Sequence, residues 1–137
     1  MELREILAEG SFQVWLTLAE EIAQKHDIQV LRAPETCTVM LQATDSVGQT
    51  PFYLGEVLIT EAAVAIGTVT GYGFALEDEP ERAIYNAVID AALAADVAES
   101  DYIRKTIAAE KERILLRRQK EASLVAATRV NFAIMEG

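Results

Sequence analysis

Apolar and polar positions recur with two different periods along the chain, and the change of period separates predicted helices from predicted strands. Between residues 11 and 26, an apolar face recurs at three- and four-residue steps, which predicts an amphipathic helix after a shorter one over residues 2–8. Ser11 stands at the position of a helix cap. The apolar face consists of Trp15, Leu18, Ala19 and Ile22.

From residue 28 the pattern changes to alternation with a period of two, which is typical of strands. Residues 28–33 and 37–44 predict two paired strands joined by a turn around Pro34. Residues 45–51 concentrate turn formers and predict a loop. One or two strands follow over residues 52–66, and another follows over residues 68–76. In the last strand the glycines at 71 and 73 share one face, which indicates that another element packs closely against the backbone there.

An acidic segment at residues 77–81 opens the next predicted helix, which ends near Asp96. Acidic residues suit the positive end of the helix dipole, and Pro80 suits a first turn. Asp78 and Glu81 have the spacing of a capping box.

The last predicted helix covers residues 100–128, with a short apolar tail that is extended or loosely helical. Its apolar stripe is narrow and its flanks are charged, so residues 100–137 are expected to project as a partner-binding helix and tail. The order of elements predicts one α+β domain over residues 1–137. That domain contains an antiparallel sheet of about four strands, with an N-terminal helix and two C-terminal helices.

The amino-acid composition favours a function in contact with other chains and argues against nucleic-acid binding. The chain is 51% hydrophobic with a net charge of −10, and its mean hydropathy of +0.15 is high for a small monomer. The apolar excess indicates a surface covered by other chains, whereas the negative charge argues against general nucleic-acid binding. The single cysteine, the absence of an export signal and the absence of a membrane-spanning apolar run lead us to expect a cytoplasmic protein.

Basic residues concentrate in one region, residues 104–121, which holds seven of the twelve. Such a run is either a solvated helix face or a surface for a phosphate-rich substrate or an acidic protein. Arg117 and Arg118 are placed to reach Glu121 on the next turn. The run comprises Arg104, Lys105, Lys111, Arg113, Arg117, Arg118 and Lys120.

Candidate chemistry is sparse. His26 lies at a helix C-terminus, where the dipole stabilises a surface imidazole, and it has no second ligand in sequence reach for a metal site. Cys37 is expected to be an inert core residue. Glu56 and Glu61 stand between apolar stretches, where an inward carboxylate would serve as an acid or base or hold a partner's arginine, and an outward one would be solvated.

Three further charged residues leave two interpretations each. Arg32 and Glu35 bracket Pro34, as a local salt bridge or as a ligand contact. Asp90 lies inside a helix, where aspartate is a poor helix former. Its partner is expected to be Arg82 or another chain, with solvent exposure as the alternative. No catalytic residue and no metal site is predicted.

Several motifs in one order carry a resemblance to a known family. The strings FYLGEV at 52–57, ITEA at 59–62, GYG at 71–73 and AVIDAAL at 87–93 are framed by RAPET at 32–36 and RVNF at 129–132. Over about residues 28–137 they resemble the PhnG family of bacterial carbon–phosphorus lyase systems. Relatives commonly have glycine where Cys37 stands. Some have a Gly-Arg-Asp-like stretch where residues 77–79 are Glu-Asp-Glu here, and some have arginine where Glu61 stands, so two positions suited to phosphate are acidic in this chain.

The resemblance implies an accessory subunit of a complex with PhnH-, PhnI- and PhnJ-like chains. In that complex a phosphonate displaces adenine from Mg-ATP, giving ribose 1-methylphosphonate 5-triphosphate, and the chemistry is credited chiefly to the PhnI-type chain. The resemblance implies a hetero-oligomer, with a homodimer as the alternative, no cofactor bound by this chain, and no nucleic-acid or membrane partner. Candidate substrate or partner contacts are Arg32, Glu35, Thr36, Glu56, Thr60, Arg117, Arg118 and Arg129.

Two other functions remain open at this point. One is a stand-alone small enzyme, a hotdog-type thioesterase that uses Glu56 or Asp90 and wraps its sheet around a long helix. The other is a scaffold subunit without influence on the chemistry.

Overall fold

The fold consists of four helices and three strands in the described part of the chain. A computed structural model describes residues 1–44, 47–48 and 50–136, with the backbone alone for 129–136. The chain order is α1 (Leu3–Glu9), α2 (Phe12–Lys25), β1 (Ile28–Thr44), β2 (Pro51–Ile66), β3 (Val69–Leu76), α3 (Pro80–Ala94) and α4 (Ser100–Glu136). The strands form an antiparallel sheet in the order β1-β2-β3. The predicted α+β fold is confirmed, with three strands in the described residues instead of about four.

The strand number differs because Pro34 does not make a turn. β1 runs through it as one strand, with shifts of register between Val30 and Arg32 and between Arg32 and Glu35. β1 lies at the edge of the sheet, where a missing backbone N–H is tolerated, and a bulge accommodates the ring. The predicted pair of strands at 28–33 and 37–44 is therefore wrong.

Helix α3 lies directly on the sheet, as the paired glycines predict. A Cβ built on Gly71 would lie 2.5 Å from the carbonyl oxygen of Ala87 and 2.5 Å from the Cβ of Ala91. A Cβ on Gly73 would collide with the backbone of Ala83. Only glycine on the strand and alanine on the helix allow this approach.

The core lies around α3, between the sheet and the other helices. Trp15 of α2, Ile89 of α3 and Ile103 of α4 are fully buried in it. Two polar side chains of α3 also bind the end of α1. Arg82 donates to the carbonyl oxygens of Leu7 and Gly10 at 3.2 and 2.9 Å, and the side-chain amide of Asn86 donates to the Leu7 carbonyl oxygen at 3.3 Å.

The helix starts are stabilised differently from the predicted caps. Glu79 is the N-cap of α3 and Pro80 its first residue, as predicted, but no side-chain cap bond is made at Glu79 in the described residues, and the capping box is wrong. Ser11 is the N-cap of α2, yet its backbone N–H donates to the carboxylate of Glu110 at 3.0 Å.

Helix α4 is packed along its first part only. Ile103, Ile107 and Ile114 are buried in the predicted stripe, together with Glu110. From Leu115 to residue 128 every side chain is exposed, and the helical backbone continues to Glu136. The helix therefore extends past the predicted end at residue 128.

Candidate partner-binding surface

Strands β1 and β2 continue as a two-stranded ribbon past the end of β3. β3 pairs with β2 only from Ile59 to Ile66, whereas β1 and β2 stay paired out to Thr44 and Pro51. The ribbon consists of residues 38–44 and 51–58, and we call it the β-arm. A two-stranded ribbon in water is marginally stable by itself.

The β-arm exposes large apolar side chains on both of its faces. Val39 lies opposite Val57, and Met40 lies opposite Glu56 on the other face. Contiguous apolar exposure of this kind marks an interaction site. The exposed fractions are 40% for Val39, 56% for Met40, 49% for Leu41, 45% for Phe52, 64% for Tyr53, 64% for Leu54 and 42% for Leu58.

A buried threonine joins the base of the β-arm to the start of α3. The Thr60 hydroxyl donates to the carbonyl oxygen of Glu77 at 2.6 Å and accepts the N–H of Glu79 at 3.0 Å. The Glu77 N–H also donates to the carbonyl oxygen of Leu58 at 2.8 Å. Glu77 adopts a left-handed backbone with φ of 63°. These bonds hold the acidic segment 77–81 beside the β-arm.

Further carboxylates surround the same base. Glu35 and Glu61 lie directly opposite each other on β1 and β2, an arrangement that is unfavourable for like charges. Arg32 donates to Glu61 at 3.0 Å and neutralises one of them. The predicted local pair of Arg32 with Glu35 is therefore wrong, because the register of the strands brings Glu61 to Arg32 instead. Glu56 is exposed on the β-arm itself.

The basic run of α4 is largely paired within the chain. Arg117 lies 3.6 Å from the carboxylate of Glu9, and Arg118 donates to the same carboxylate. The predicted partner Glu121 is therefore wrong. Arg113 pairs with Glu110 at 3.1 Å. These pairs favour the solvated-face interpretation of the run.

The isolated candidates have structural partners. His26 lies 2.8 Å from a carboxylate oxygen of Glu99, and this hydrogen bond holds the pKa of that carboxyl below its ordinary value. The pair connects the end of α2 to the start of α4. Asp90 accepts the backbone N–H of Tyr72 at 2.9 Å, so its partner among the described residues is the backbone of β3 and not Arg82. Cys37 is partly exposed on β1, not in the core.

Comparison of the sequence with known families shows which family the chain belongs to. The sequence model of a family described as phosphonate metabolism protein PhnG matches residues 2–137. The chain belongs to the PhnG family. It is also 34% identical over 124 residues to a Rhizobium meliloti (strain 1021) protein named alpha-D-ribose 1-methylphosphonate 5-triphosphate synthase subunit PhnG. The match covers 88% of this chain and 78% of that protein.

In this PhnG-family chain the predicted contact residues separate into two groups. Arg32, Glu35, Thr36 and Glu56 lie on β1 and β2 at or near the β-arm, and Thr60 lies beneath its base. Arg117 and Arg118 lie on α4 beside α1. Arg129 falls outside the residues whose side chains are described. The sequence motifs include the residues of the first group. They do not predict the length of the β-arm, because that length depends on how the strands pair.

The described part of this PhnG-family chain carries pockets of different sizes. A pocket between α1 and β3, lined in part by Arg4 and Asp90, has a volume of about 40 Å³, enough for water only. A cleft at the start of α3, lined in part by Phe12 and Arg82, has a volume of about 330 Å³. No group of three or more potential metal ligands occurs among the described residues. Within the same residues, none of the helices has the length and apolarity needed to span a membrane.

Proposed function

We propose that this chain is an accessory subunit of an α-D-ribose 1-methylphosphonate 5-triphosphate synthase-like complex in the cytoplasm. The observation that carries the proposal is the β-arm, which leaves apolar side chains exposed at 40–64% on a chain of a family whose Rhizobium meliloti member is named a synthase subunit. The partners are PhnH-, PhnI- and PhnJ-like chains. Burying the β-arm against them would stabilise assembly by the hydrophobic effect.

In the proposed reaction, a phosphonate oxygen bonds to the anomeric carbon of the ribose of Mg-ATP as the bond to adenine breaks. Water competes for the same carbon and would give simple hydrolysis. This chain supplies no acid or base to the step. Its contribution is to cover the partner's site and hold it in a form where water is excluded and the phosphonate is oriented.

The test compares the nucleosidase-type partner alone, with this chain, and with all subunits. Adenine release and incorporation of phosphonate into the ribose product are measured together. Adding this chain is expected to raise the fraction of turnovers that incorporate phosphonate. A partition between water and phosphonate that does not change on addition would refute the role in exclusion and orientation.

A scaffold role is the second candidate, favoured by the unpacked second half of α4. Leu116, Leu124 and Val125 are 57%, 69% and 53% exposed there. A pure scaffold predicts that substitutions on this half of α4 break assembly, and that complexes which still assemble keep the full rate and the same partition.

A further inference from the structure

The outer edge of β1 is open along the β-arm, and its composition is unusual for an open edge. In the described part of the chain no strand pairs with this edge. Native proteins protect such edges with charges, prolines or bulges. Pro34 and the register shifts protect the first half of β1, but residues 36–44, TCTVMLQAT, contain neither a charge nor a proline.

The pairing of residues 36–44 is also regular enough to act as a template. From Glu35 to Leu41 the register with β2 is continuous, and it shifts only between Leu41 and Gln42. The backbone groups that alternate away from β2 along this stretch point towards the open edge. An extended segment laid beside it would satisfy them and cover Val39 and Leu41.

From this edge, and resting on the proposed function, we infer that β1 receives an extended segment of a different subunit, which adds a fourth strand beside residues 36–44. This mode of recognition uses backbone hydrogen bonds for affinity and alternate side chains for specificity. The added segment is expected to be apolar with basic residues.

The negative charge around the open edge of β1 indicates which kind of segment binds there. Glu35 lies on β1 itself and would sit about 4.8 Å from the added strand. Glu56, on β2 opposite Met40, would lie about 10 Å away, two strand spacings across, within reach of a long basic side chain. A second copy of this chain would bring another net charge of −10 to the same acidic base, and repulsion disfavours it. A lysine- or arginine-containing segment is attracted.

Proline substitution tests the backbone contact. Thr38 and Val39 are adjacent, so one of them directs its N–H to the open edge and the other to β2. Thr38→Pro and Val39→Pro are each co-expressed with the PhnH-, PhnI- and PhnJ-like chains. The edge-directed variant is expected to keep the fold, measured by thermal unfolding, and to bind the complex about tenfold or more weakly. Gln24→Lys on the exposed face of α2 is the control and is expected to bind normally.

A second measurement does not depend on folding of the variants. In the wild-type complex, amide hydrogen exchange resolved by residue is expected to slow at every second position of residues 36–44, because only alternate N–H groups face the added strand. Glu56→Lys is expected to weaken binding severalfold at low salt, whereas Glu21→Lys, the same charge change on the exposed face of α2, is expected to leave it unchanged.

Three outcomes have distinct meanings. Normal assembly of both proline variants, or uniform exchange along residues 36–44, overturns strand addition while leaving the accessory role intact. Self-association of the purified chain that the edge-directed proline abolishes shows that a second copy is the occupant and also overturns the inference. Failure of the wild-type chain to join the other subunits at all refutes the proposed function instead.

Discussion

Replacing Gly71 by alanine is expected to destabilise the chain strongly. The new Cβ would stand 2.5 Å from the Ala87 carbonyl oxygen and 2.5 Å from the Ala91 Cβ, whereas non-bonded carbon atoms prefer about 3.5–4.0 Å. The facing residues are already alanines, so no side chain can yield. Helix α3 and β3 must therefore separate by about 1 Å, and α3 is also held by its contact with α2, which includes the ring pair of Phe12 and Tyr85.

The expected cost is about 3 kcal/mol, the upper part of the usual range for overpacking. Unfolding entropy of about 2.1 cal/mol/K per residue gives about 0.29 kcal/mol/K for this chain, so Tm should fall by about 10 °C. Denaturant unfolding measures the change in free energy and thermal unfolding measures the change in Tm, each followed by circular dichroism and by fluorescence of the buried Trp15.

Gly67→Ala is the matched control in the β2–β3 turn. Nothing lies within 4 Å of a Cβ at this position, but its φ of +61° is left-handed, so the expected cost is only about 1 kcal/mol. If Gly71→Ala is no more destabilising than Gly67→Ala, the close approach of α3 to β3 is not the constraint described above.

Three smaller predictions concern polar contacts. Glu110→Ala removes the acceptor of the Ser11 N–H and should cost about 1–3 kcal/mol in denaturant unfolding, whereas a change below about 0.5 kcal/mol would contradict it. Thr60→Val leaves two backbone groups without a partner and should cost about as much, with Thr60→Ser near wild type. Because the pKa of Glu99 is lowered by His26, its contribution to stability is present above the ordinary value of 4.5 and is lost as pH falls through the lowered value. Glu99→Gln should therefore show a weaker loss of stability in acid, and identical pH profiles would count against the pair.

Local patterns predicted the parts of the fold that depend on local packing. The apolar face of α2, the glycine face of β3 and the start of α3 at Pro80 all follow from periodicity and steric size. The prediction at Pro34 was wrong because a proline would end a central strand but is tolerated in an edge strand. Which strand lies at the edge depends on the whole sheet and cannot be read from the local sequence.

Contacts between distant residues were not predictable in the same way. Arg32 has a carboxylate nearby in sequence at Glu35, but the register selects Glu61. Thr60 belongs to a family-like motif, yet its two hydrogen bonds to the segment before α3 follow from tertiary structure. The β-arm itself was not predicted. The sequence indicates the length of each strand, but that β3 ends before β1 and β2 is evident only when the strands are aligned in the sheet.

The short length of β3 has a consequence for chains that are not bound to other subunits. Beyond Leu76 the hairpin has lost its third strand, so it opens at a smaller free-energy cost than the rest of the sheet. A protease that cleaves only unpaired segments would therefore cut an unassembled chain in this hairpin first. Burial by a neighbour removes that vulnerability, and the abundance of this subunit would then follow the supply of its neighbours.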